Sequence, residues 1–277
     1  MKTITISGLI LAGFLLSIGS IDAQIIKGSG TPLGPNSDPT YSWLGVYVGP
    51  SFNSQGGTFV TDCDCPFTGG AGSGLVAGVM FEHQFRSGLA LGTLVGYEGR
   101  GITGRFRQID TLTVTSSAGV ERRINAMFRH EATLSFDMVT LNPYVKYRIA
   151  GRLFGRAGLS MGYVMNSDLV HSVTLDENST RTLNDGETAE IKLGENGVTV
   201  FDNGSYKSLS SFQVGATLAA GYEIPLIRRA RQAWGTYASA VLMPVIQVYQ
   251  PITQLSVDGG ELRVSMFQVM LEFRYNL

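Results

Sequence analysis

The chain ends on "FQVMLEFRYNL", where Phe267, Val269, Leu271, Phe273, Tyr275 and Leu277 share one parity and Gln268, Glu272, Arg274 and Asn276 the other. A repeat of two residues is the signature of a strand with one apolar face. Chain ends ordinarily fray. An alternation kept up to the final carboxylate therefore demands a sheet that needs its last strand. A sheet in lipid meets that description: an unpaired edge N–H or C=O costs several kcal/mol where no water reaches it, so the last strand must close against the first.

Seven earlier segments share the pattern: 43–53, 74–85, 89–100, 135–149, 153–165, 212–226 and 234–248. Each reaches the ~9–11 residues that cross a bilayer as a tilted strand. In "LALGTLVGYEGR" (89–100), Leu89, Leu91, Val95 and Tyr97 oppose Gly92, Gly96, Glu98 and Arg100. The segment at 234–248 is the weakest, because both of its faces are apolar around Val241 to Val245. The connections alternate in length. "RSG", "AGR" and "IRRARQA" are short, 54–73, 101–134 and 166–211 are long, and 249–261 is brief. The fold class expected is all-β: an eight-stranded antiparallel up-and-down transmembrane barrel over 43–277 with extended outer loops. Trp43 and Trp234 open strands at the short-turn end and are expected in an interfacial aromatic girdle.

The remaining sequence agrees with export. Residues 1–23 start basic at Lys2, run apolar and end at the small Ala23, the pattern of a signal peptide cut between Ala23 and Gln24. Residues 24–42 are Gly-, Pro- and Ser-rich and read as a flexible lead-in. Beyond Ala23 no apolar run reaches the ~20 residues of a spanning helix. The formal charge of -1 gives nucleic acid no reason to bind. Glycine is 35 of 277 residues, well above the usual share of about 7%, which together with export points toward extended structure. Cys63 and Cys65 form a "CDC" that leaves a local disulfide or two thiols open; two ligands alone do not specify a metal site, and no cofactor is indicated.

The second face of the strands carries Glu82, Glu98, Arg100, Lys146, Arg148, Arg156, Glu223, Glu272 and Arg274. Such residues would poorly line a pocket for an apolar ligand, whereas inside a membrane barrel they can pair across the lumen while Leu, Val, Phe and Tyr meet lipid. Side chains nearly fill an eight-stranded interior. An ion-paired plug is expected, with a narrow or gated channel as the alternative. Among the outer loops, 166–211 is acidic and 101–134 is more basic. They either recognise an extracellular partner or pack on each other. "AEIKLGENGVTVF" (189–201) reads as a hairpin around "GENG", and "TLTVT" (111–115) alternates.

The segments "LALGTLVGYEGRG", "LNPYVKYRI" and "LFGRAGLSMGYVM" resemble the small bacterial outer-membrane barrels, the porin-family or OmpA-like proteins. The ending "LEFRYNL" is similar to the family's assembly signal. Phe273 and Tyr275 fit it, while Leu277 stands where Phe or Trp is usual. The resemblance implies the outer membrane as location, its lipid as surroundings and the barrel-assembly machinery as a partner during insertion. It carries no peptidoglycan-binding domain into this chain. Some such barrels act on lipid A or on proteins. Of His83, His130 and His171, His130 could meet Asp137 across a loop base, yet "RHEATLSFD" offers no aimed nucleophile beyond Ser135. The expectation is therefore a structural or surface-interaction protein and not an enzyme.

Overall fold

In the computed structural model, the described residues are 41–61, 65–85, 88–115, 119–175, 180–182, 188–191, 198–205, 209–231, 235–255 and 261–277. The expected signal cleavage at Ala23 and Gln24, the lead-in, Cys63 and Trp234 lie outside them. The strands are β1 (Tyr41–Gly56), β2 (Phe59–Val60), β3 (Pro66–Phe67), β4 (Gly70–Gln84), β5 (Leu89–Thr115), β6 (Glu121–Ala150) and β7 (Leu153–Leu175). They continue with β8 (Thr180–Thr182), β9 (Thr188–Glu190), β10 (Val198–Ser205), β11 (Phe212–Tyr222), β12 (Ile224–Arg231), β13 (Gly235–Pro251) and β14 (Arg263–Asn276).

The wall runs β1, β4, β5, β6, β7, β11, β13, β14 and back to β1, with β12 continuing β11 along β13. Neighbours pair antiparallel, so this is the expected eight-stranded ring. Closure reaches the last residue. Trp43 to Gly56 pair with Asn276 to Arg263, and the Leu277 N–H donates to the Ser42 carbonyl at 2.9 Å. The terminal alternation thus belongs to a strand that seals the barrel.

The exterior is apolar, as a lipid face must be. Leu44, Val46, Val48, Val79, Val139, Leu141, Leu159, Leu218, Ile246, Val269 and Leu271 are all exposed. Of the expected assembly signal, Phe273, Tyr275 and Leu277 lie on the same outer face. Trp43 is different: it is 5% exposed and points into the lumen, because it shares parity with Gly45 and Tyr47, not with Leu44 and Val46. It is not a girdle residue.

Three connections also differ from expectation. Residues 101–115 and 121–134 continue β5 and β6, paired without a break from Leu89↔Tyr147 to Thr115↔Glu121. β7 likewise rises to Leu175 and pairs with β10. The hairpin expected at 189–201 is replaced by other pairings, β8 with β9 and β10 with β7. At the opposite end, Arg231 still pairs with Gly235, so most of "IRRARQA" is strand and not turn. Main-chain donors gain ladder partners this way, where a loop would leave them to water.

Candidate functional site

The inward positions build the lumen in tiers. Lowest, near the short turns, Lys146 Nζ donates to Glu82 Oε1 at 2.5 Å and to Glu223 Oε1 at 3.1 Å. Arg274 bonds both of these carboxylates through its two terminal nitrogens, and Arg148 Nη2 reaches Glu223 Oε2 at 3.3 Å. Tyr144 Oη donates to Glu82 Oε2 at 3.1 Å. β4, β6 and β14 place Glu82, Lys146 and Arg274 on inward parity, and Glu223 sits in the break between β11 and β12. Arg148 is the partial exception, with its side chain 43% exposed at the rim.

In the next tier, Arg156 donates to Glu272 Oε1 at 2.8 Å and to Gln247 Oε1 at 2.9 Å, and Gln247 Nε2 donates to Gln268 Oε1 at 2.8 Å. Towards the outer end, Arg100 pairs with Glu98 at 2.7 Å and bonds Gln213, while Thr140 Oγ1 donates to Glu98 Oε1 at 3.2 Å. Aromatic rings face the cations: Arg274 lies 4.7 Å from the Trp43 ring, Arg156 4.7 Å from Tyr144 and Arg100 4.7 Å from Tyr249. The ring of Tyr47 lies along the wall where a Cβ on Gly78 would meet its hydroxyl at 2.7 Å, a close approach that glycine permits. All nine charges named from sequence thus enter lumen pairs, and Val76, Met80, Leu94, Phe154, Val241, Met243, Val245 and Met270 fill the space between them.

A second feature escaped the sequence. The short β2–β3 hairpin packs inward over the outer mouth as a cap. Phe59 and Phe67 stack at 5.1 Å and are buried with Ile102, Leu134, Phe136, Met138, Leu169, Leu262 and Val264. Gln55 Nε2 donates to the Phe67 carbonyl at 2.6 Å. Cys65, in the same hairpin, is buried and disulfide-bonded. The cap also brings together two histidines from β6 and β7. His130 Nδ1 and His171 Nε2 are 3.2 Å apart, and His171 Nδ1 is 3.1 Å from Thr61 Oγ1. His130 stacks on Phe106 at 4.5 Å, and Phe67 sets its edge against His171 at 5.4 Å. Both rings lie beyond the apolar belt that ends at Val139 and Met165. Burial pushes both below the ordinary value of 6.5. The one weak signal in the sequence was that these two are histidines in segments otherwise read as loops.

His130 and Asp137, which the sequence allowed to meet at a loop base, do not. Asp137 turns outward and accepts from Tyr97 Oη. His83 instead contacts Ser42 Oγ through Nδ1 at 2.9 Å at the lower rim, and among the described residues no carboxylate orients its ring. On the outward face above the belt, Arg105 makes a double hydrogen bond to Glu131 at 2.7 and 3.1 Å, which holds the Glu131 carboxyl below its ordinary range. With Phe106, Arg107 and Arg129 these residues line a crevice of ≈ 580 Å³. No group of three or more His, Cys, Asp or Glu among the described residues is arranged to hold a metal.

The model of the outer membrane protein beta-barrel domain family matches residues 37–241. No curated protein matches the sequence. Among solved structures, the attachment invasion locus protein Ail of Yersinia pestis, in complex with the heparin analogue sucrose octasulfate, is similar at 9% identity. The match covers 84% of this chain and 99% of that one, with a TM-score of 0.34. Neisserial surface protein A matches at 8% identity over 84% and 96% of the two chains, with a TM-score of 0.31. The outer membrane protease OmpT of Escherichia coli matches at 9% over 88% and 99%, with a TM-score of 0.28. Identities and scores this low carry no function across.

Proposed function

Because the chain belongs to the outer membrane protein beta-barrel domain family, we propose that it is a closed barrel of the bacterial outer membrane that works at the cell surface and not as a pore. One observation carries this reading: the lumen is filled twice over. Ion-paired tiers fill it from Lys146 up to Arg100, and the apolar cap of Phe59 and Phe67 covers the mouth above them. Moving an ion through would require breaking buried pairs, each of which leaves an uncompensated charge behind. Static filling is the simpler use of such a network.

What remains for function is the wall that rises above the lipid. β5, β6 and β7 extend past the belt, with Arg105, Arg107 and Arg129 on the outward face beside the crevice. Arg107 and Arg129 stand directly opposite each other in register. In this reading the protein is not an enzyme, since among the described residues no carboxylate positions the Ser42–His83 contact.

Planar bilayer recording of the refolded barrel tests the closed lumen: a silent membrane is expected, and steady conductance steps would overturn it. For the surface role, β5 and β6 would be trimmed to the registered pair Thr103↔Thr133, which keeps Glu98 and Arg100 and removes Arg105, Arg107 and Arg129. Cells carrying the trimmed barrel should still insert it but lose adhesion. Adhesion untouched by trimming would sink the surface role.

A further inference from the structure

We propose that the β2–β3 cap is a pH-released latch, held to the wall by the Thr61–His171–His130 chain of contacts while both imidazoles are neutral and freed when they are protonated. The latch has three parts on three elements. Thr61 belongs to the cap, His171 to β7 and His130 to β6, and they form one chain of contacts at 3.1 and 3.2 Å. One proton arrangement satisfies it. His130 Nδ1–H donates to His171 Nε2, and His171 Nδ1–H donates to Thr61 Oγ1. That leaves His130 Nε2 as a lone pair, and this nitrogen is indeed buried without a hydrogen-bond partner. An N–H there would be a buried donor lacking an acceptor, so the neutral ring is the form the site accommodates.

Protonating both rings puts a hydrogen on each of the two facing nitrogens, and the 3.2 Å contact becomes a repulsion between two cations. His130 is 6% exposed and His171 fully buried, among Phe67, Phe106, Leu134 and Leu169. The charged group on β5 that acts on His130 is Asp110, which favours the cation but is outweighed by burial. On β6, Arg129 and Glu131 flank His130 on the opposite, outward parity, as Arg105 and Arg107 flank Phe106 on β5. On β10, Asp202 stands opposite His171 in register. Asp62 and Asp64, in the segment joining β2 to β3, lie outside the described residues.

The sign follows from burial. The closed cap binds protons less readily than the released cap, so it is fully stable above the released-state value near 6.5 and loses stability as pH falls below it. Release therefore belongs to mildly acidic surroundings, within the range where histidine is the usual switch. It bares Phe59 and Phe67 to the exterior but leaves the ion-paired tiers in place. The latch thus goes beyond the closed-barrel reading without depending on it.

The test is amide hydrogen exchange on the full mature chain refolded in lipid nanodiscs, at about pH 7.5 and about pH 5, corrected for the intrinsic pH dependence of exchange. Protection at the amides of Phe59, Val60, Thr61, Cys65 and Phe67 should fall about tenfold for each pKa unit by which closure depresses the pair, while β1 and β14 stay protected. His171→Gln and, separately, His130→Phe should abolish this step, with heat-modifiable gel migration showing that each barrel is folded. Unchanged cap protection at the lower pH in the wild type overturns the latch, with no variant required. So does a step that survives in both variants. Conductance at low pH would count against the closed lumen and leave the latch standing, which keeps the two readings separable.

Discussion

Glu82→Gln is the sharpest probe of the lumen. Glu82 is 1% exposed and receives Lys146 at 2.5 Å, Tyr144 at 3.1 Å and one arm of Arg274. The lowest tier holds two acids, Glu82 and Glu223, against three bases, Lys146, Arg148 and Arg274, a net charge of 3 − 2 = +1. Glutamine keeps the shape but raises that to 3 − 1 = +2 with only Glu223 left to serve three cations. Removing one partner of a buried pair costs about 3–5 kcal/mol, and because Glu223 still reaches all three bases the low end of that range is expected. Urea unfolding of the refolded barrel in a Trp234→Phe background, followed by Trp43 emission and by gel migration, measures it. Trp43 is a direct reporter, since its ring lies under Arg274. Adding Lys146→Met should recover part of the loss, because the second change removes the stranded charge. As a control, Arg105→Ala removes a pair whose side chains are 66% and 38% exposed and should leave the midpoint in place. If Glu82→Gln unfolds at the same urea concentration as Arg105→Ala, the lumen pairs are not what holds the tier together.

Leu271→Arg, on the lipid face, should cost ~2–4 kcal/mol if the position lies near the bilayer midplane. Ser265→Arg, on the same face of β14 but beyond Phe267, should be tolerated; equal costs in the same urea assay would misplace the belt. Phe67→Ala removes a ring that contacts Phe59, Phe106 and His171. It should loosen the cap in hydrogen exchange yet leave gel migration and the silent bilayer unchanged. Loss of the folded band would instead show that the cap is needed to build the barrel.

The fold was legible because lipid outside and a narrow lumen inside force a strict alternation over each crossing. Lumen charges could be assigned by parity alone. Their pairings could not, since Arg156 meets Glu272 and Lys146 meets Glu82 across sequence distances that carry no local signal. The cap was hidden for another reason. Phe59 and Phe67 stand in two-residue strands, too short for any period to show. The misreading of 101–134 as loop has a single physical cause, visible in "LSFDMVTL". β6 never changes parity: Leu134, Phe136 and Met138 point inward as Thr140 and Asn142 do. What changes is which face is greasy. Below, Val139 and Leu141 are exposed; above, Ser135 and Asp137 take the outer side. Read as hydropathy, the pattern slips by one residue at Met138–Val139, and the alternation that defines the strand is lost there.

That slip marks where the outer surroundings change from hydrocarbon to water. β14 repeats it at Met266–Phe267, with Val264 and Met266 inside the upper part and Phe267 and Val269 outside the lower. A strand crossing such a boundary must exchange its faces: in lipid the polar groups have only the lumen to turn to, whereas in water the apolar ones seek shelter inward. The lower lumen is therefore ionic, and the upper wall encloses an ordinary hydrophobic core. The His130–His171 pair belongs to that upper core, with water on the far side of its sheet. A histidine set among the lower tiers would answer chiefly to Glu82, Glu223 and Glu272, whereas these two answer chiefly to burial, which is the condition under which a change in external pH can move them.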